Sequence, residues 1–216
     1  MLKGKTVLVT GAGRGIGLAT ALAFASEGCK VACVARSGDQ VEQTVEFVHK
    51  AGGEGLALIG DVADEHSVAD FMSAAVCHLG DIDVLVNNAG VFAVKPLAET
   101  TVEDWDLTMG VNTRGVFLCI KAVLPGMISR REGCIINIAS MASLKPYPHQ
   151  GAYVASKHAV LGLSKVLADE MRPHGVRVTA ICPGGVNTDL VRTQRPDWEP
   201  EMLMGPDDVA QCAVYV

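Results

Sequence analysis

The chain has 216 residues, 49% hydrophobic and 19% charged, with 23 glycines and a formal net charge of −6. That length fits one domain with a full core, and that composition excludes a disordered chain. The negative balance argues against nucleic acid or an anionic membrane as the main partner, and the pair Arg130-Arg131 is too short to reverse it.

Short apolar runs rich in valine and isoleucine alternate with longer amphipathic stretches. TVLVT (6–10) reads as the first strand, and a helix is predicted near 15–27. KVACVA (30–35) precedes a helix near 39–50, and GLALIG (55–60) precedes one near 64–79. IDVLVN (82–87) leads to a long helical stretch at 101–130. CIINIA (134–139) leads to a helix near 152–172, and VRVTAI (176–181) is the sixth strand. Near-continuous apolar strands suit a parallel sheet covered on both faces. Strand–helix alternation with right-handed crossovers predicts a doubly wound, Rossmann-like α/β sheet. No linker, repeat or low-complexity segment divides residues 1–216, so a single domain is expected.

Seven cysteines give an odd count without a CxxC pair. Cys33, Cys134 and Cys182 lie in the apolar runs, which favours buried reduced thiols over a disulfide framework. The six histidines show no metal-ligand spacing, so no metal is expected. No charged, apolar leader opens the chain, and no run reaches the ~18 apolar residues of a membrane span. The expected address is the cytoplasm, with no membrane partner.

Ligands of such sheets bind outside the carboxyl ends of the strands. The residues there are TGAGRGIG after the first strand, Ala35-Arg36 after the second and Asp61-Val62 after the third. NNAG, Ser140 and PGG follow the fourth, fifth and sixth. Gly11, Gly15 and Gly17 between a strand and a helix permit a tight turn whose N–H groups approach a pyrophosphate, helped by the helix dipole. YVASK (153–157) holds a second pattern. Side chains at i and i+4 share a helix face, so Tyr153 and Lys157 point the same way. On its own, this pair fits either chemistry or a packed tyrosine covered by a lysine stem.

Together these motifs resemble the short-chain dehydrogenase/reductases, in the single-domain branch with a TGxxxGxG turn and a YxxxK pair, including 3-oxoacyl reductase-like members. The resemblance rests on TGAGRGIG, NNAG at 87–90, Ser140 thirteen residues before Tyr153, and YVASK followed by PGGVNTD at 183–189. It runs from KTVLVTGAGRGIG to PDDVA near the end. The sugar-nucleotide epimerase branch shares YxxxK but usually carries a different glycine spacing.

The resemblance implies hydride transfer between a nicotinamide cofactor and a small carbonyl or secondary alcohol. Tyr153 is then the acid–base group. A free phenol titrates near ~10, so Lys157 and an oxidised nicotinamide ring are expected to depress it. Lys157 would also bond the nicotinamide ribose, Ser140 would hold the substrate carbonyl, and Asn112 in MGVNTRG would anchor a water that leads to the lysine. On the cofactor, the resemblance places Gly11, Gly15, Ile16 and Gly17 at the pyrophosphate and Arg14 and Arg36 at the adenosine ribose. Asp61 and Val62 go to the adenine, and Asn87, Asn88, Ala89 and Gly90 pass close to the ribose. Pro183, Gly184, Val186 and Thr188 are placed at the nicotinamide. Asp64 is the better cap for the following helix. Enzymes that choose NAD place an acid at the end of the second strand. Ala35 stands there, with Arg36 and Arg14 nearby, so NADP(H) is favoured over NAD(H).

The stretch 188–206 is expected to form a substrate lid, with Leu190, Trp198, Met202, Leu203 and Met204 offering an apolar surface and Arg192 and Arg195 an anionic handle. Phe92, Met141, Lys145, Tyr147, His149 and Gln150 would line the mouth. Family members usually continue into a seventh strand, whereas Val216 falls within a helix, which leaves the sixth strand as an edge. A homo-oligomer, dimer or tetramer, is expected. A non-catalytic dinucleotide-binding protein, a lyase or epimerase with an internal cofactor, and an NAD-dependent alcohol dehydrogenase are the alternatives.

Overall fold

The computed structural model describes residues 2–216. Six parallel strands form one sheet: β1 (Thr6–Thr10), β2 (Lys30–Ala35), β3 (Glu54–Ile59), β4 (Val84–Asn87), β5 (Gly133–Ile138) and β6 (Val176–Ile181). Their spatial order is β3-β2-β1-β4-β5-β6. The order reverses between β1 and β4, which opens a crevice at their carboxyl ends. β6 pairs only with β5 and is an edge among the described residues.

The helices are α1 (Gly15–Ser26), α2 (Gly38–Lys50), α3 (Glu65–Leu79), α4 (Val102–Met109), α5 (Gly115–Arg130), α6 (Gly151–Met171), α7 (Asp189–Gln194) and α8 (Pro206–Tyr215). Successive strand residues face opposite sides. Leu8, Ala32 and Leu85 join Phe71, Val116 and Val160 from α3, α5 and α6. Val7, Val9 and Val31 join Phe24, Val41 and Val209 from α1, α2 and α8. Burial on both faces explains why β1 and β5 are apolar without alternation. This is the doubly wound fold expected from the sequence.

Three strands begin and end where the apolar runs do, and the others shift by one or two residues. The stretch 101–130 is not a plain helix: a π-helical turn, Gly110–Arg114, separates α4 from α5. Thr101 and Asp104 close a capping box on α4, and Lys95 bonds the same Asp104 carboxylate at 2.6 Å. By length and composition, Val102–Arg130 is long and apolar enough to cross a membrane, which the sequence reading did not anticipate. Half of its most apolar window is buried against the sheet and its neighbours, as in the core helix of a globular domain. The short α7 inside 188–206 was also not anticipated.

Candidate active site

The crevice at the switch point is a cavity of about 440 Å³. Its floor is the glycine-rich turn. Gly11 and Gly15 have φ of 65° and 56°, in the left-handed region that favours glycine. A Cβ on Gly17 would meet the Gly11 carbonyl oxygen at 2.1 Å, so only glycine lets α1 start so close to β1. Arg14 caps α1 in extended conformation, and no side chain bonds the helix start. The first N–H groups of α1 therefore remain for an anion.

Asn88 secures this turn. Its Nδ2 donates to the carbonyls of Thr10 (2.9 Å) and Gly11 (3.2 Å). The backbone N–H groups of Asn88 and Ala89 both donate to the Thr10 hydroxyl. Asn87 turns the other way. It is buried, and its Nδ2 donates to Asn137 Oδ1, whose own Nδ2 donates to Ser164. The expectation that Asn87 passes near a ribose is therefore not met, because alternation along β4 aims it into the sheet.

Apart from Gly17, the other expected cofactor residues line this one cavity, from Gly11, Arg14, Gly15 and Ile16 through Arg36, Asp61, Val62, Asn88, Ala89 and Gly90 to Pro183, Gly184, Val186 and Thr188. Gly17 lies behind the wall, where it sets the helix–turn distance. Asp61 accepts from the Ala63 N–H, and Asp64 caps α3 through the N–H groups of His66 and Ser67. The sequence reading missed Ser37 and Gln40, which line the cavity beside Arg36. Ser37 caps α2 without a side-chain bond. The signal was a serine directly before a helix.

Ser140 ends β5, while Tyr153 and Lys157 lie in the first turns of α6, and all three line the cavity. The Ser140 hydroxyl accepts from the Ala142 N–H at 3.1 Å and stands on the Tyr153 side of the cavity. Lys157 is buried and donates to the Ile138 carbonyl at 2.7 Å, with its Nζ 5.8 Å from the Tyr153 ring centroid. The Phe92 ring packs against Tyr153 at 4.8 Å. Asn112, in the π-helical turn, is fully buried and does not reach the cavity. Its Oδ1 accepts from the Val91 N–H (2.8 Å), and its Nδ2 donates to the Val91 carbonyl (2.9 Å) and to Ser156 Oγ (3.0 Å).

Burial pushes the Tyr153 phenol above its ordinary value, and the nearby Ser140 side chain offsets this only in part. The depression expected from the sequence counts on an oxidised nicotinamide beside Lys157, and burial acts against it. Burial also pushes Lys157 down to about 8. Between pH 8 and the lysine's ordinary 10.5, the unfolded chain binds a proton that the folded one lacks, so this group makes stability rise with pH across that window. Below pH 8 its burial cost is fully present, on the order of 3 kcal/mol. Lys157→Met should therefore melt several degrees higher at pH 7, with the gain shrinking toward pH 10. Thermal unfolding across that range checks it, and equal melting at pH 7 would count against a strained buried ammonium.

Over the cavity, Met204 pairs with Val186, and Trp198 packs on Gly185. Gln194 of α7 accepts from the Val94 N–H across the mouth at 3.1 Å. Arg195 is forked to Asp197 and stacks over Trp198 at 4.4 Å, and Arg192 donates to Asn187. Both arginines are thus engaged, Arg195 within the segment and Arg192 with the residue just before it. His149 holds φ of 64° at the rim, and its carbonyl accepts from the Lys95 N–H. Gln150 is buried rather than facing the mouth.

A family model described as short chain dehydrogenase matches residues 5–199. The chain is 39% identical over 200 residues to the 3-oxoacyl-(acyl-carrier-protein) reductase of Staphylococcus epidermidis, covering 92% of this chain and 82% of that one. Among solved structures, the 3-ketoacyl-(acyl-carrier-protein) reductase from Brucella melitensis, complexed with NADH, matches at TM-score 0.91 and 33% identity, covering 100% of this chain and 91% of that one. An actinorhodin polyketide ketoreductase with NADPH matches at TM-score 0.93 and 34% identity, covering 98% and 89%.

Proposed function

This chain belongs to the short-chain dehydrogenase family and is an oxidoreductase acting on carbonyl or alcohol groups; within that class, we propose that it reduces a ketone, with a 3-oxoacyl thioester as the leading candidate, using NADP(H). The observation that carries the reading is the meeting of the Ser140 hydroxyl, the Tyr153 phenol and the buried Lys157 ammonium on one wall of a cavity whose floor is an uncapped, glycine-built helix start. The two similar reductases and the ketoreductase support the substrate class by their names.

The cavity suits a dinucleotide on the chain's own evidence. A Cβ on Gly15 would crowd Thr188 at 3.1 Å, while Gly184 has nothing within 4 Å and leaves the nicotinamide end open. When bound, the nicotinamide supplies or accepts the hydride at its C4. Gly11, Gly15 and Ile16 would hold the pyrophosphate, with Gly17 keeping the turn tight. Arg14 and Arg36 would sit at the adenosine ribose, with Asn88, Ala89 and Gly90 passing close by, and Asp61 and Val62 at the adenine. Pro183, Gly184, Val186 and Thr188 would hold the amide end.

Tyr153 Oη donates the proton to the forming alkoxide in reduction and takes it back in oxidation. Ser140 orients the carbonyl oxygen toward that phenol. Lys157 holds the nicotinamide ribose and biases the phenol toward ionisation while its own ammonium persists. Asn112 acts from behind, through Val91 and the π-helical turn. Exposed Trp105, Leu107, Phe117 and Val166 on α4, α5 and α6 suit a second copy of the chain, which supports a homo-oligomer. The reading places the enzyme in the cytoplasm. An NADPH-oxidation screen over ketones, quinones, 3-oxoacyl thioesters and sugars tests it: no turnover with any of them would sink the reductase reading and favour internal cofactor use or a non-catalytic role.

Residues 188–206 serve as a lid over the substrate end. The single Gln194–Val94 bond across the mouth is easily broken and remade, so the segment should exchange amide hydrogens faster than the sheet without ligand and slow when cofactor and substrate bind. Hydrogen-exchange mass spectrometry reads this, and equal protection in both states would remove the lid.

A further inference from the structure

We propose that Ser156 is a positioning residue, which couples the π-helical turn to the Tyr153–Lys157 pair. The inference rests on the proposed roles of those two residues, and its test separates the two.

Ser156 lies between Tyr153 and Lys157 on α6 and is fully buried. A buried hydroxyl needs partners, and both of its partners lead to the reacting groups. Its Oγ donates to the Tyr153 carbonyl at 2.7 Å and accepts from Asn112 Nδ2 at 3.0 Å. The Tyr153 carbonyl is also the acceptor that the helix ladder assigns to the Lys157 N–H, four residues on. One hydroxyl thus shares the peptide oxygen that sets the register of tyrosine against lysine. On its other side it holds a carboxamide whose remaining atoms clamp both backbone groups of Val91.

A second bond parallels the first: the Thr113 hydroxyl donates to the Ser156 carbonyl at 3.3 Å. The turn that departs from α-helical geometry therefore faces α6 at this residue through two side chains. The turn needs such support because a π-helical turn is a rare, costly geometry. Gly90 marks how close the groups lie: a Cβ there would sit 3.4 Å from Asn112 Oδ1 and 3.9 Å from Lys157 Nζ. Asn112 and Lys157 thus flank the same glycine of the cavity wall. No atom of Ser156 reaches the cavity, so it acts only through its neighbours.

Ser156→Ala removes the shared bond and leaves Asn112 clamped to Val91 alone. The expected result is a fall in kcat of about tenfold, with KM for NADPH and substrate within twofold, and a displaced midpoint in the pH dependence of kcat. A loss of folding alone would reduce the amplitude without moving the midpoint. Ser156→Thr, which keeps the hydroxyl, should restore the wild-type midpoint, and it decides the matter if the alanine variant fails to fold. In the Asn112→Ala background, Ser156→Ala should cost less than twofold, because the path is already cut. An unmoved midpoint with kcat within twofold, or full additivity with Asn112→Ala, would overturn the positioning role. If Tyr153→Phe proved fully active, the catalytic reading itself would fail, whatever Ser156 does.

Discussion

Tyr153→Phe should lower turnover by at least ~10², the usual scale for a lost acid–base group, while NADPH titration barely changes. The substitution removes one oxygen and keeps the ring, so the packing against Phe92 and the lysine on the other side survive. The removed hydroxyl faces the cavity, where water can take its place. Stability should therefore move little, and the defect should appear in kcat. The direction of the phenol's shift adds a further expectation. Burial raises Tyr153, so at neutral pH the group is protonated, which suits a proton donor. Alcohol oxidation needs the phenolate and should rise with pH in the wild type. In Tyr153→Phe that rise should vanish. Steady-state kinetics in both directions from pH 6 to pH 10 check it, and near-normal turnover in the variant removes Tyr153 from the chemistry.

Where the sequence was legible, each level pointed to the same answer. The six apolar runs became the six strands because parallel strands buried on both faces need no alternation. The residues just after those strands line the cavity because the fold puts all carboxyl ends on one side. The misses have physical causes too. Asn87 and Asn88 are adjacent in a motif, and only the pleat decides which one faces the crevice. A π-helical turn has no periodicity of its own to betray it inside 101–130. Ser156 is an ordinary serine in the sequence, and its two bonds exist only because α6 meets that turn. The arginines of 188–206 read as anion handles until their partners are seen: the Asp197 carboxylate forks Arg195, and Asn187 holds Arg192. The sign of the Tyr153 shift also needed burial, which residue spacing does not convey.

Wild-type kcat/KM for NADPH should exceed that for NADH by about a hundredfold, on the strength of the end of β2. Ala35 there can neither accept a bond from a ribose hydroxyl nor repel a phosphate. Arg14 and Arg36 line the same cavity as Ala35, and neither has an acidic partner within ion-pair distance among the described residues. The Ser37 hydroxyl, free of any capping bond, and the start of α2 add neutral donors at the same place. Charge-assisted bonds to a 2′-phosphate contribute roughly 1.5–3 kcal/mol each, and two of them correspond to about a hundredfold or more. That one similar reductase is complexed with NADH makes the measurement decisive. Two features identify the cause. The KM for NADPH should climb with salt much more than that for NADH, because exposed guanidinium–phosphate pairs are screened. Ala35→Asp combined with Arg36→Ser should bring the ratio to unity or below, since the new carboxylate accepts from the ribose hydroxyls of NADH and repels the phosphate of NADPH. The tyrosine and lysine are untouched by this change, so kcat with NADH should stay within a few-fold of the wild type. A wild-type kcat/KM for NADH that equals or exceeds that for NADPH would mean that both arginines are only solvated surface charges.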